Sequence, residues 1–424
     1  MEQQDWEYDL KRSSLENELL VNPDDTGALF DLAELLSDHY EEYELSRTCW
    51  EKMLALEADN EAAHYNFALL LKNHLAEYEP ALHHLKTALD LDKEDTDTML
   101  SIAALYEDNL NDTDSAIHYY ELAMNTDPYN AYAHSGYATL LSNVKEDYTK
   151  ALMHYQYAMD IEPENPDFPN NIGLLYQHDL KNYDLARENF ELSIKLDPTI
   201  ADAHINLANL LDVHFKDYEQ AEQHYLQAIE VEPELYRSYY DYGVLLHYSL
   251  GRKDLAREKY ERSLELNPTH SKTLRELGIL LGYDYKEVDE ARSLFERALD
   301  EDPDDHEAHV HLANILDDHF DEIETAIEHY KTAIALAPDD TYAYCEYGLL
   351  LMQNNLDYPA ARTFFEQALA IDEEDADAHA GLAKLLALHL NETVLARTHY
   401  EIAVQLDEEK KNEQLEEVLY TTKS

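Results

Sequence analysis

The sequence predicts an all-α solenoid of stacked helix-turn-helix repeats, and three regularities predict it. A proline, or a residue standing in its place, returns every 35 residues: Pro23, Ala58, Lys93, Pro128, Pro163, Pro198, Pro233, Pro268, Pro303, Pro338, Glu373 and Glu408. Counting each repeat from three residues after that position gives eleven repeats starting at Thr26, Glu61, Thr96, Ala131, Pro166, Ala201, Tyr236, Ser271, His306, Thr341 and Ala376. Position eight of every repeat is Ala or Gly, and position twenty-one is Ala in all but Ser46. Position twenty-five is bulky throughout, running Trp50, Leu85, Tyr120, Tyr155, Phe190, Tyr225, Tyr260, Phe295, Tyr330, Phe365 and Tyr400. Small residues let helix axes approach, and the large rings fill the space beside them. A fixed period of this length is the mark of a repeat array, in which each unit buries its apolar face only against its neighbours.

Taken in order, residues 1–25 read as an N-terminal capping helix, ending Leu19-Leu20-Val21-Asn22-Pro23 and resembling an isolated second helix. Residues 26–410 carry the eleven repeats. Repeat six shows the design: Ile205, Leu207, Ala208, Leu210 and Leu211 recur at helical spacing, Lys216-Asp217 interrupts, and Ala221, Tyr225, Ala228 and Ile229 resume it. Repeat five differs, with Pro163, Pro166 and Pro169. Proline opens helices and disturbs their interiors, so its first helix is expected to start late; a hinge near Asn170 is the alternative. Residues 411–424 read as a closing helix and tail, with Leu415, Val418 and Leu419 on one side. Terminal units of an array must cover the apolar face that stacking leaves open.

The columns resemble the tetratricopeptide repeat family, whose pattern has Leu, Gly or Ala, and Tyr in the first helix and Ala, Tyr or Phe, Ala, and Pro in the second. The resemblance covers residues 26 to 410 and implies a right-handed superhelical solenoid. One departure is systematic. The family unit usually has 34 residues and a Gly at the turn between helices, whereas this chain adds one residue and reads His39-Tyr40, His74-Leu75, His214-Phe215, His319-Phe320 or His389-Leu390 there. A slightly longer first helix, with an apolar residue tucked into the turn, is expected.

Charge limits the function classes. Lys and Arg total 31 against 91 Asp and Glu, a formal net charge of −60 at pH 7 that stays near −38 even with all 22 His protonated. Pentatricopeptide repeats share the 35-residue period but bind single-stranded RNA; a surface this acidic opposes phosphate, so no nucleic-acid partner is expected. With 45% hydrophobic residues in pattern, the chain is expected to fold despite its charge. Cys49 and Cys345 lie about eight repeats apart in a linear array, far beyond the roughly 7 Å that a disulfide spans. The first residues lack a signal-like apolar stretch, and no apolar run approaches a membrane span. A cytoplasmic protein without membrane partners is expected, and Asn111-Asp-Thr113 and Asn391-Glu-Thr393 are read as chance sequons.

No arrangement points to catalysis or to a cofactor: phosphate-cradling glycine loops and a Gly-x-Ser-x-Gly elbow are absent, and neither cysteine has a nucleophile's context. Histidines recur at spacing ten in repeats six, nine and eleven, as His204, His214 and His224; His309, His319 and His329; and His379, His389 and His399. Residues ten apart on a helix diverge, and ligand pairs sit at three or four, so these are read as duplicated structural positions and no metal is expected.

Binding remains. The resemblance implies that positions 2, 5, 6, 9, 12 and 13 of each first helix face the concave groove. Most of these are neutral or acidic, but repeats seven and eight contribute Arg237, Lys272 and Arg275 beside Tyr240, Tyr248 and Tyr283, and together hold 11 of the 31 basic residues. Such a basic island can clamp a carboxylate-bearing peptide; the alternative is that its cations are solvated or paired with neighbours such as Asp241 and Glu276. The family's clamp for chaperone tails is poorly matched: repeats six to eight supply only Asn209 and Lys272, and repeats five to seven only Asn206 and Arg237. An asparagine ladder at position six has Asn66, Asn171 and Asn206, too broken to rely on. The expected function is a non-enzymatic, monomeric scaffold binding peptide or protein segments on its concave face, with Arg237, Tyr240, Tyr248, Lys272, Arg275, Tyr283, Asn206 and Asn209 as candidate contacts. An acidic chaperone or adaptor for strongly basic proteins is the alternative.

Overall fold

The computed structural model describes residues 2–354 and 357–420, which among themselves contain helices and no strand. They form two compact units, residues 1–210 and 211–424. The first holds the helix Glu2–Val21, repeats one to five, and the first helix of repeat six; the second holds the rest.

Within each unit the repeats are built alike. In repeat two the first helix is Glu61–Asn73 and the second Tyr78–Leu91. Asn60 starts the first helix by accepting from the Ala63 N–H, and Asp25, Asn130, Asp305 and Asp375 do the same in their repeats. The second helix closes on a cap whose N–H bonds four residues back, and the proline that usually follows has no N–H with which to continue. Positions eight, twenty-one and twenty-five are buried, the bulky column almost completely. Each buried ring contributes about 1.5–3 kcal/mol by leaving water.

The thirty-fifth residue is absorbed at the inter-helix turn. A helix that ends on a left-handed residue is ordinarily closed by a bond to the carbonyl five residues back. Here the donor reaches six back, as in Glu42 to Leu36, Glu77 to Leu71, Asp147 to Leu141 and Glu287 to Leu281. A second bond, Leu75 to Leu70 or Leu250 to Leu245, spans five in the manner of a π turn, and the first helices of repeats six to eight end in π-helical segments at Leu211–Phe215, Leu245–Ser249 and Leu280–Tyr285. Position sixteen is left-handed at Glu41, Ala76, Asn111, Glu146, Lys181, Lys216, Lys286, Asp321 and Asn391; only in repeat seven is it Gly251. The expected apolar turn residue is present, since Leu75 and Leu110 pack against the core.

An arginine ladder stitches successive second helices. In residues 1–210, Arg12 pairs with Glu42 (2.8 Å) and Arg47 with Glu77 (2.7 Å); in residues 211–424, Arg257, Arg292 and Arg362 pair with Glu287, Glu322 and Glu392. Each arginine also meets a glutamate one turn along its own helix. The rung from Arg12 places the N-terminal helix where a second helix would stack, with Leu15 buried as position twenty-five is elsewhere. At the other end, Glu413–Tyr420 buries Leu415 and Leu419 while Val418 is exposed; the tail expected at 421–424 lies outside the described residues.

In repeat five the first helix starts at Asp167, one residue late. Pro169 sits in its first turn, where an N–H has no intrahelical partner to lose. Asn170 lies inside the compact unit of residues 1–210.

Candidate functional site

In residues 211–424 the first helices Tyr236–Val244 and Ser271–Ile279, with their π-helical ends, position the basic candidates. Arg275 is nearly buried and is held by three carboxylates: Asp305 at 2.6 Å, Glu307 at 2.8 Å and Glu276 at 3.4 Å. Burial opposes its charge, but Asp305, Glu307 and Glu276 outweigh that and hold the guanidinium charged. Glu276 also accepts from the Tyr248 hydroxyl at 2.7 Å. Arg237 lies 3.4 Å from Asp241, one helical turn on. Pairing with neighbours thus accounts for much of the basic island. Lys272 is different: it is exposed and forms no ion pair among the described residues.

Tyrosines surround these groups. Tyr240 packs edge-on to His270, with ring centroids 5.1 Å apart, and Tyr248 is exposed. Tyr283 is half-buried; its hydroxyl contacts His311 Nδ1 at 3.2 Å and accepts from Asn314 at 3.3 Å. Burial pushes the Tyr283 phenol up to about 12, and burial with the nearby Arg275 charge pushes the His311 imidazole down to about 4, so both are neutral at pH 7. Asn206 and Asn209 belong to the other unit. Asn206 is buried and donates to Asn170 Oδ1 at 3.0 Å, whereas Asn209 is half-buried.

Residues 1–210 contain a feature that the charge-based reading missed. An open trough of about 530 Å³ runs over repeats two to four, floored by Ser101, Ala104, Ser135 and Gly136 and flanked by Tyr65 and Tyr132. It shares the lining residues Leu69 and Asn73 with a depression of about 200 Å³ in repeats one and two, where Glu34 and Asp38 also stand, and Thr139 with one of about 420 Å³ in repeats four and five, where Asp179 stands. Most of its lining residues occupy positions 2, 5, 6, 9, 12 and 13 of their repeats, the columns expected to face the groove. A β-carbon on Gly136 would lie 2.4 Å from the Tyr120 ring, so glycine there lets the ring reach the trough wall. The sequence signal was a local run of small residues in those columns.

The expectation of diverging side chains concerns histidines ten apart and does not consider the pair twenty apart. The structure brings the first and third together across the two helices of a repeat: His309 and His329 at 2.8 Å, and His379 and His399 at 2.8 Å, Nδ1 to Nδ1. The middle histidine lies at the end of the first helix, where His389 stacks on Tyr358 of the preceding repeat with ring centroids 4.4 Å apart. Among the described residues no group of three or more potential ligands could hold a metal ion, and no helix is long and apolar enough to cross a membrane.

Three sequence profiles described as Tetratricopeptide repeat match residues 283–344, residues 215–271 and 320–375, and residues 96–130 and 170–200. No curated protein matches by sequence. Among solved structures, the chain is similar to the APC/C hetero-tetramer Cut9-Hcn1, at TM-score 0.53 and 17% identity over 90% of this chain and 94% of that one. It is also similar to an IFIT1 monomeric mutant with Gppp-AAAA, at TM-score 0.51 and 16% identity over 82% and 90%. At such identities the likeness extends to fold alone.

Proposed function

Because this chain belongs to the tetratricopeptide repeat family, we propose that it is a non-enzymatic scaffold that binds an extended peptide or protein segment along its concave face. The observation that carries the reading is the trough of repeats two to four, open to solvent and lined by uncharged residues apart from Lys72 and Asp97, within a chain of net charge −60. Small residues on its floor leave room for a ligand's side chains, and Tyr65 and Tyr132 offer rigid faces to pack on. Its contacts are therefore mainly apolar and backbone-directed.

In residues 211–424 the candidate contacts Lys272, Tyr240, Tyr248 and Tyr283, with Arg237, form a separate proposed contact surface for an acidic group on a ligand. Arg275 acts there as a positioning residue, fixing Glu276 and thereby Tyr248. For Asn206 and Asn209 the proposed role is hydrogen bonding along the first helix of repeat six.

The test is selection of peptides from a random library on the full chain, followed by challenge of the selected peptides with Ser101→Arg, Ala104→Arg and Lys272→Glu. Trough binding predicts at least tenfold weaker binding to the two arginine variants, persisting in 0.5 M salt. Equal binding to the filled and open troughs overturns it. The charge itself favours a second reading, an acidic chaperone or adaptor for strongly basic proteins. That reading predicts capture of basic proteins that is indifferent to Ser101→Arg and lost in high salt.

A further inference from the structure

Repeats two, four, nine and eleven each contain a histidine pair built to one plan. Position four of the first helix meets position twenty-four of the second, Nδ1 to Nδ1: His64 and His84 at 2.7 Å, His134 and His154 at 2.9 Å, His309 and His329 at 2.8 Å, and His379 and His399 at 2.8 Å. In each pair the other nitrogen of the first histidine, Nε2, lies 3.0–3.2 Å from a backbone carbonyl six residues earlier, at Ala58, Pro128, Pro303 and Glu373.

That carbonyl fixes the tautomers. It can only accept, so the first histidine must carry its proton on Nε2 and present a bare Nδ1. The second histidine must then donate its Nδ1–H, leaving its own Nε2 bare. One added proton fits on that Nε2 with the contact intact. A second must go to the first histidine's Nδ1, and two N–H groups would then face each other at under 3 Å between two cations.

We propose that these pairs are acid-labile clasps between the two helices of their repeats, closed when neutral or singly protonated and opened by the second proton. Their surroundings do not neutralise that charge. His83 and Glu51 face the pair in repeat two; Lys150 and the Tyr137 and Tyr157 rings face that in repeat four, where Tyr137 already engages Glu121. Glu296 faces the pair in repeat nine, and Glu366 and Arg362 that in repeat eleven. Glu51, Glu296 and Glu366 are each already paired with a ladder arginine. Burial, and then the partner histidine, push the second histidine down, to about 4 at His84.

The chain also contains inert versions. Position four is Tyr239 in repeat seven and Tyr344 in repeat ten, and each hydroxyl donates to the same backbone carbonyl, at Pro233 and Pro338. Position twenty-four of repeat ten is Phe364, its ring 6.3 Å from Tyr344. Repeat eight has Leu274 and Leu294 in the two places.

The test is hydrogen exchange of the full chain at pH 7.5 and 5.0, corrected for the intrinsic pH dependence of exchange. An opened repeat binds two protons per pair and a closed one at most one, so one withheld proton raises local opening about 30-fold between those pH values. Protection in His306–Phe320 and Ile323–Leu336 is expected to fall further than in Ser271–Ile279 and Val288–Glu301 of repeat eight, the pair adding about 30-fold to the part that buried His311 contributes in the same helix. The double variant His309→Tyr with His329→Phe, copied from repeat ten, cuts that excess about 30-fold and leaves the part from His311; so does His329→Gln, whose amide can turn to accept from a protonated His309, should the double variant fold poorly. An equal fall in repeats eight and nine overturns the proposal, as does an undiminished excess in either folded variant.

Discussion

Replacing Ala76 by glycine should stabilise repeat two, and replacing Gly251 by alanine should destabilise repeat seven by a similar amount. Both residues occupy position sixteen, with φ of 52° and 62°. An L-residue there costs roughly 1–2 kcal/mol through the clash of its β-carbon with the following carbonyl. Glycine escapes that cost but gives up roughly 0.5–1 kcal/mol of unfolded-chain entropy. Ala76 is exposed, so its methyl group gives up little packing, and a β-carbon on Gly251 would meet nothing within 4 Å. The net effect is therefore conformational, about 0.5–1 kcal/mol in each direction. A long array does not unfold in two states, so the assay is local: exchange of the closing amides, Glu77 to Leu71 and Arg252 to Leu246. Protection should rise about two- to fivefold at Glu77 in Ala76→Gly and fall by as much at Arg252 in Gly251→Ala. If Gly251→Ala instead stabilises, as glycine removal does at an ordinary surface site, the account of how the thirty-fifth residue is accommodated is wrong.

Two further outcomes follow from the charged groups. Burial, and then Asp377 and Asp318, push the Glu346 carboxyl up to about 7. A raised folded value means stability that is complete below about 4.5, the unfolded value, and is lost as pH rises through about 7. Glu346→Gln should therefore raise hydrogen-exchange protection of its helix Thr341–Gln353 at pH 8, by the equivalent of about 1–3 kcal/mol of local opening, and change it little at pH 4.5; a gain independent of pH contradicts this. Arg292→Met removes the rung to Glu322 and the contact with Glu296, both partly exposed, and should cost about 0.5–1.5 kcal/mol. Hydrogen exchange of Val288–Glu301 and Ile323–Leu336 should show a smaller loss in 1 M salt, and a salt-independent loss would point to packing of the side-chain stem instead.

What the sequence disclosed depended on whether a property was repeated. Ala, Tyr and Pro columns recur in repeat after repeat, so the helix pairs and their packing faces were legible. The wide turn was only half legible: an extra residue can be counted, but its left-handed position holds Glu, Ala, Asn, Lys or Asp, which share no chemistry that names a backbone angle. Arg275 could be placed in the basic columns, whereas Asp305 and Glu307, which hold it, cap and begin the first helix of the next repeat, thirty or more residues on. The histidine pairs were hidden by attention to spacing along one helix; the contact spans twenty residues and a turn. The trough of repeats two to four was overlooked because it is made by what Ser101, Ala104, Ser135 and Gly136 lack, and a search for charge passes over missing side chains.

The central claim, that the concave first helices hold the ligand, is tested most directly by hydrogen exchange of the full chain saturated with a selected peptide. The account predicts new protection in the first helices Thr96–Asp108 and Ala131–Asn143, with the second helices Thr113–Thr126 and Tyr148–Ile161 unchanged. Protection confined to the second helices contradicts it.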